Sequence, residues 1–426
     1  MSKVLSASAL TSGNVRSRQI VAIVCCLVGE FFLAADWYAF AAVMSFVSAD
    51  LVLTPAQAGL AQGAFGLSYC IGMLVWSPLV RRIGGRATFC LGLLGTGLFM
   101  GAQVLSTSFS ELVAYRLVVG IFDAAVWIGA MRLIIGWFPE KRHGSAIGAL
   151  LASYSLAITL DFAVGVPLAQ AHGWRVFFCG LAVGTIGVAL TACLMLRDAP
   201  LASSSMESGG ARASAQNTPS RVVFSSKWLY AGAAAIFGAT FALAATATWV
   251  VPAFVAVHRM PLEHAAVIGS AMGLSQIVIL LIGGLLADRI DRLVMVKVGA
   301  ALAAASALAF MAVLTHAVPW SVLVAVTIFS GVAVLNGGAI FSTLSERFGK
   351  ELATSAIGYA QIGGILSTFV APAAMGWVIE HSGGSFLAGF GLFAGVELAV
   401  LGIVLTLARD PRSSRSSAAN LPSDLR

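Results

Sequence analysis

Twelve long apolar runs, separated by short polar breaks, make up almost the whole chain. They fall at roughly 19–46, 56–79, 88–107, 110–137, 144–170, 175–196, 228–255, 264–287, 294–315, 319–344, 353–378 and 385–408. A helix that crosses the hydrocarbon core of a bilayer needs about twenty predominantly apolar residues. The runs meet that length and lack the strict alternation of a barrel strand, whose segments are about ten residues long. The pattern therefore predicts an all-α membrane protein with twelve transmembrane helices. Polar residues dominate one wider gap, which includes Ser203, Ser204, Ser205, Gly209 and Gly210. It is too polar to span and too poor in apolar residues to form a core. The predicted organisation is a six-helix bundle over 1–196, a cytoplasmic linker over 197–227, a second six-helix bundle over 228–408 and a Ser-rich tail over 409–426.

The two predicted bundles repeat one another. Trp76 to Arg86 follows the second run, and Gly284 to Arg292 follows the eighth. The tetrapeptide Ser145-Ala146-Ile147-Gly148 recurs at Ser355 to Gly358. Two copies of a six-helix unit can enclose a cavity between them without a partner chain, so a monomer is expected.

Composition agrees with this reading. Apolar residues make up 59% and charged residues 10% of the 426 positions, against about 25% charged in a soluble domain. The first long run greatly outlasts the apolar region of a signal peptide, so it is expected to be a retained helix. The formal charge of +7 does not point to nucleic acid, because the basic residues lie in short clusters and form no stripe. All but four of the 25 Lys and Arg fall on one side if both termini are cytoplasmic; the exceptions are Arg175 and Arg259 in the other loops and Arg116 and Arg132 within the fourth helix. That asymmetry sets the orientation. The short loops suggest a bacterial inner membrane. The six cysteines lie within apolar runs, and no metal-ligand spacing, P-loop or nucleophile–base pair is present. No metal, cofactor or enzymatic activity is expected, and a secondary gradient would have to supply the energy.

Several motifs carry a family resemblance. Gly284-Leu285-Leu286-Ala287-Asp288-Arg289-Ile290-Asp291-Arg292 resembles the G-x-L-A-D-R-x-G-R loop of the major facilitator superfamily. The resemblance implies that Gly284, Asp288, Arg289 and Arg292, together with Arg82 and Arg86 in the first copy, form a gating loop at helix ends. Three departures stand out: Asp291 occupies the second glycine position, and in the first copy Ser77 replaces the leading glycine and Arg81 the acid. Arg116-Leu117-Val118-Val119-Gly120, with Asp123 beyond it, resembles the helix 4 motif of the organic anion:cation symporter branch. Trp137 to Arg142 and Gly173 to Phe178 are also similar to loops of that branch. In this family helices 1, 4, 7 and 10 line the cavity. The resemblance therefore makes Arg116, Trp37, Trp249 and Asn336 candidates for contact with substrate.

Ionisable groups inside a membrane are costly and are functional candidates by default. Here they are Glu30 and Asp36 in helix 1, Arg116 and Asp123 in helix 4, and Asp161 in helix 5. The second half is read as holding none in the middle of its helices. At about 1.5 Å per residue, Asp36, Arg116 and Asp161 should share the outer third, with Asp123 and Glu30 deeper. Two readings are open. Arg116 can neutralise Asp36 or Asp161 as a buried structural pair. Alternatively, Asp123, Asp36, Asp161 or Glu30 takes up and releases a coupling proton, since burial disfavours a charged carboxyl and a nearby guanidinium favours it. The function these features suggest is proton-coupled uptake of a small organic anion. The alternative is proton-antiport efflux of a drug-like or cationic compound, although helix 5 departs from the antiporter pattern at Asp161 and Val166.

Overall fold

The computed structural model describes residues 12–199, 223–287, 289–335 and 337–408. These residues form helices and connecting turns, with no strand among them. The first half contains α1 (Ser12–Asp50), α2 (Pro55–Ile83), α3 (Gly85–Gln103) and α4 (Phe109–Trp137). It continues with α5 (Glu140–Leu160), a π-helical turn (Asp161–Gly165), α6 (Val166–His172) and α7 (Trp174–Met195). The second half contains α8 (Lys227–His258), α9 (Leu262–Ala287), α10 (Arg292–Thr315) and α11 (Trp320–Ser330). A 3₁₀ turn (Gly331–Val334), α12 (Gly337–His381) and α13 (Phe386–Leu407) complete it.

Eleven helical stretches are long and apolar enough to cross a membrane; the 19-residue, glycine-rich α3 is not among them. Leu74, Val183 and Leu194 are at least 70% exposed. Large apolar side chains on the exterior at this density need a lipid solvent. The tenth and eleventh predicted runs correspond to the separate spans Trp320–Phe348 and Ala356–His381; the polar residues 345–352 between them, expected as a loop, carry helical turns. The predicted linker and tail lie mainly outside the described residues.

Local chemistry sets the helix ends. Thr54 caps α2, accepting from Gln57 N (3.3 Å) while Thr54 N donates to Gln57 Oε1 (3.0 Å), a reciprocal capping box. Gly84 joins α2 to α3 at φ +88°, a conformation that a Cβ would strain. Hydrogen bonds define two ends of the molecule. At the basic end, Gln19 Nε2 donates to Trp137 O (2.7 Å) and Trp137 Nε1 to Arg197 O (2.9 Å). At the far end, Arg175 forms an ion pair with Asp50 (2.6 Å) and donates to Val104 O and Ser106 O. Trp174 Nε1 donates to the same Asp50 carboxylate (3.2 Å). The two aromatic loop motifs singled out in the sequence are thus the clasps of opposite ends.

The halves meet along two seams. Gly59, Gly63 and Gly66 of α2 lie against Pro372, Phe369 and Thr368 of α12. Ser155 and Thr159 of α5 lie against Gly273 of α9, and Phe162 against Gly269. Small residues let membrane helices approach this closely. A Cβ on Gly59 would run into the Pro372 carbonyl, and backbone cannot step aside as a side chain can. Gly59→Leu is expected to destabilise the protein by about 1–3 kcal/mol, read as a lower thermal midpoint in detergent. An unchanged midpoint would count against a tight seam there.

Candidate functional site

Gly120 is where the site begins. It carries no side chain where α4 crosses α2, and a Cβ there would strike Ser68 Oγ and the Phe65 carbonyl. The close crossing lets Arg116, one turn earlier, reach across to α2. Its Nε donates to Ala61 O (2.6 Å) and its Nη2 to Gln62 Oε1 (3.0 Å). The guanidinium carbon sits 4.6 Å from the centre of the Phe40 ring and 5.5 Å from that of Phe65. Arg116 is 1% exposed, yet the ion pairs between described residues are Arg175–Asp50 and Arg292–Glu346. The expected pairing of Arg116 with Asp36 or Asp161 is therefore corrected. Backbone carbonyl, amide and aromatic faces take the charge, and these carry partial negative charge without being acids. Two of the five guanidinium N–H groups are used in these bonds.

The carboxyls gather beside it. Asp36 interacts electrostatically with Asp123, Asp161 and Arg116, and Glu30 with Asp123, so α1, α4 and α5 bring their charges to one region. All four acids are at most 3% exposed. Thr96 Oγ1 donates to Asp123 Oδ1 (2.6 Å). Asp123 Oδ2, both oxygens of Asp36, Glu30 Oε2 and Asp161 Oδ2 are buried without a hydrogen-bond partner. Asp161 opens the π-helical turn, an irregularity often found at functional positions. Counted from the far ends of their helices at 1.5 Å per residue, Asp36 and Asp123 lie about 21 Å deep, Asp161 about 17 Å and Arg116 about 10 Å. The expected common level of Arg116 with Asp36 and Asp161 is thus replaced by an arginine one layer shallower than the acids.

An aromatic wall completes this region. Trp37 packs on Phe65 (4.8 Å between centroids) and Tyr69 (4.9 Å), and Tyr38 meets Tyr154 edge-on (5.8 Å). Gln62 ties the wall to the arginine: its Nε2 donates to Trp37 O (3.1 Å) while its Oε1 receives Arg116. Sequence reasoning missed Gln62, Tyr38, Tyr69 and Tyr154. A polar residue within the glycine-rich start of α2 was the available signal for Gln62.

Of the second-half candidates, Trp249 donates from Nε1 to Pro372 O (3.2 Å), and its ring lies beside Gly59 and Gly376. It is thus a filler of the far-end seam. Asn336 and Asp288 lie outside the described residues. The expectation that the second half holds no mid-helix acid is corrected by Glu397, in the middle of α13. It is fully buried against Gly238 of α8, with both oxygens unpartnered.

The two copies of the loop are built differently. In the second copy, Gly284 lies in the last turn of α9, and Arg289 is exposed just beyond it, its N–H donating to Leu286 O (3.0 Å). Arg292 forms an ion pair with Glu346. Asp291, the departure from the family pattern, accepts from Val294 N (3.0 Å) and caps α10. In the first copy Arg82 is exposed, and the missing acid is supplied from another helix. Asp198, beyond α7, accepts from Arg86 N (2.9 Å) at the start of α3, and Arg86 Nη2 donates to Cys193 O. A carboxylate at a helix N-terminus is favoured by the helix dipole.

The sequence profile of the Major Facilitator Superfamily matches residues 26–372, and again 265–423. A protein of Agrobacterium vitis assigned as a tartrate transporter is 23% identical over 390 residues, covering 87% of this chain and 86% of its own. A bacterial homologue of the human lysosomal transporter Spinster, solved in an inward-facing, unoccupied conformation, superposes with a TM-score of 0.72 at 16% identity. That match covers 92% of this chain and 95% of the homologue. A D-xylose–proton symporter superposes with a TM-score of 0.73 at 15% identity, covering 90% and 97% respectively. Profile, fold and bilayer-length helices agree, and the chain belongs to the Major Facilitator Superfamily, as an integral membrane transporter and not an enzyme.

Proposed function

We propose that this transporter couples protons to the uptake of a small organic anion by alternating access. The observation that carries the proposal is Arg116: a fully buried guanidinium, hydrogen-bonded to neutral groups with no described carboxylate in ion-pair contact, beside a cluster of acids that each bury an unpartnered oxygen. An arginine with no carboxylate in direct contact can take one from outside the protein. A buried acid without a partner is least costly as the neutral form, which suits Asp123, Asp36, Asp161 and Glu30 to carrying a proton. The tartrate assignment of the Agrobacterium relative supports an organic anion as the substrate class. Trp37 lines the same aromatic wall, and with Arg116 it is the substrate contact we favour.

We place both termini in the cytoplasm, supported by the excess of Lys and Arg at the basic end, and propose a monomer in a bacterial inner membrane. The conformation is then inward-facing. The described hydrogen bonds between the halves lie at the far end: Ala56 N donates to Glu380 Oε2 (2.9 Å), and Gln170 Nε2 to Glu263 Oε1 (2.9 Å). Toward the basic end the α5 seam opens, since Gly148, on the face that carries Ser155, has nothing within 4 Å of its Cβ position.

Glu380 acts as a latch on the N-terminus of α2. With the latch removed in Glu380→Ala, a cysteine placed at position 56 should react with an impermeant maleimide about two- to fivefold faster. An unchanged rate would remove the latch. The function itself is tested in proteoliposomes with an imposed pH gradient. Proton-dependent accumulation of a labelled carboxylate supports symport. Movement of a lipophilic cation against the proton flow would favour antiport efflux.

A further inference from the structure

Away from the acid cluster, the far end of the second half encloses a cavity of about 970 Å³ between the ends of α8, α9, α10 and α11. Its polar lining includes His258, Arg259, His264 and His316, and no Asp or Glu lines it. Val267, Ile268, Leu323 and Val324 form much of the apolar wall, with Trp320 at the rim. Arg259 ends α8 with φ 51° and ψ 34°, a left-handed conformation that a residue with a Cβ adopts at a cost. Its side chain is exposed and makes no described hydrogen bond or ion pair. His258 Nε2 is buried without a partner.

We infer that this cavity binds an acidic phospholipid from the leaflet at the far end, its phosphate against Arg259 and His264 and its acyl chain along the α9 wall. Charge and hydrogen-bonding complementarity select the head group: one arginine and the ring nitrogens of three histidines line the cavity, and nothing acidic lines it. The wall selects a lipid over a free anion. Val267 is 64% exposed and Trp320 69% exposed, and the apolar lining runs on into Leu274 and Val278, which are also exposed on α9. A small soluble anion would leave that surface wet. A tryptophan at this level is characteristic of the membrane interface, and an arginine there meets a phosphate bidentately. The nearest acid on these elements, Glu263, is engaged by Gln170.

Fluorescence quenching tests the site in the full-length protein. Emission from Trp320, taken as the difference between wild type and Trp320→Phe, is followed in vesicles containing acyl-brominated phosphatidylglycerol or acyl-brominated phosphatidylcholine at equal mole fraction. Phosphatidylglycerol should quench with an apparent affinity about two- to tenfold higher. The double variant Arg259→Gln/His264→Gln should erase that preference, while Arg259→Lys should retain most of it. Size-exclusion elution matching wild type shows that each variant is folded. Equal quenching by the two lipids, or a preference that persists in the double variant, overturns the inference. Relief of quenching by water-soluble glycerol phosphate would mark a free-anion site and also overturn it.

Discussion

Asp123→Asn is expected to abolish substrate accumulation driven by a pH gradient while leaving substrate exchange between equal pools intact. Asp123 is buried on α4 with one oxygen bound by Thr96 and the other unpartnered. Asn preserves its shape and can still accept from Thr96, but it cannot exchange a proton. Coupling between two ligands is a free energy that each imposes on the other. Removing the proton site should therefore flatten the pH dependence of substrate affinity, which a coupling of typical size makes about 5- to 150-fold. Uptake in the presence of the gradient and counterflow in its absence separate the two activities. Full gradient-driven uptake in Asp123→Asn would move the proton site to Asp36, Asp161 or Glu30. Loss of both activities would point to a structural role.

Arg116→Lys should lose substrate binding almost as completely as Arg116→Gln. Lysine keeps the charge but not the planar fork, and here the fork places Nε on the Ala61 carbonyl and Nη2 on Gln62 at once. It also packs on Phe40 and Phe65. Truncating one member of a buried, charge-assisted contact costs about 2–5 kcal/mol, equivalent to a rise in the apparent KM for the anion of about thirtyfold or more. Gln62→Leu should give a smaller rise, because the Ala61 contact survives. If Arg116→Lys transports the anion with unchanged KM, the guanidinium does not hold the substrate.

Much of the fold could be read from the chain because a bilayer leaves few alternatives. Each apolar run had to satisfy its own backbone, and the runs came close to the observed helix limits. The tenth and eleventh runs are separate spans, as expected, and only the stretch between them differs. A charged stretch such as Glu346-Arg347 reads as a loop, yet charges at a membrane surface are as well solvated on a helix. The site was only partly legible. Glu30, Asp36, Asp123 and Asp161 stood out as charges in apolar context, and the structure brings them together. Their partners did not stand out. A charge in the membrane suggests an opposite charge, but Arg116 is satisfied by a carbonyl, an amide and two rings, none of which a charge count can find. Glu397 was equally visible as a letter. The run around it is so apolar that the segment reads as filler.

Asp198 has a mechanical consequence. The stretch that joins the two halves begins at its side, and the same carboxylate is fastened to the first turn of α3. Twenty-four peptide units separate Ala199 from Val223, a connection that could reach about 80 Å when fully drawn out, too long by itself to fix the distance between the halves. Its buckle, however, sits on the loop that carries Arg82 and Arg86. Shortening this connection is expected to pull on that loop before it limits the distance between the halves.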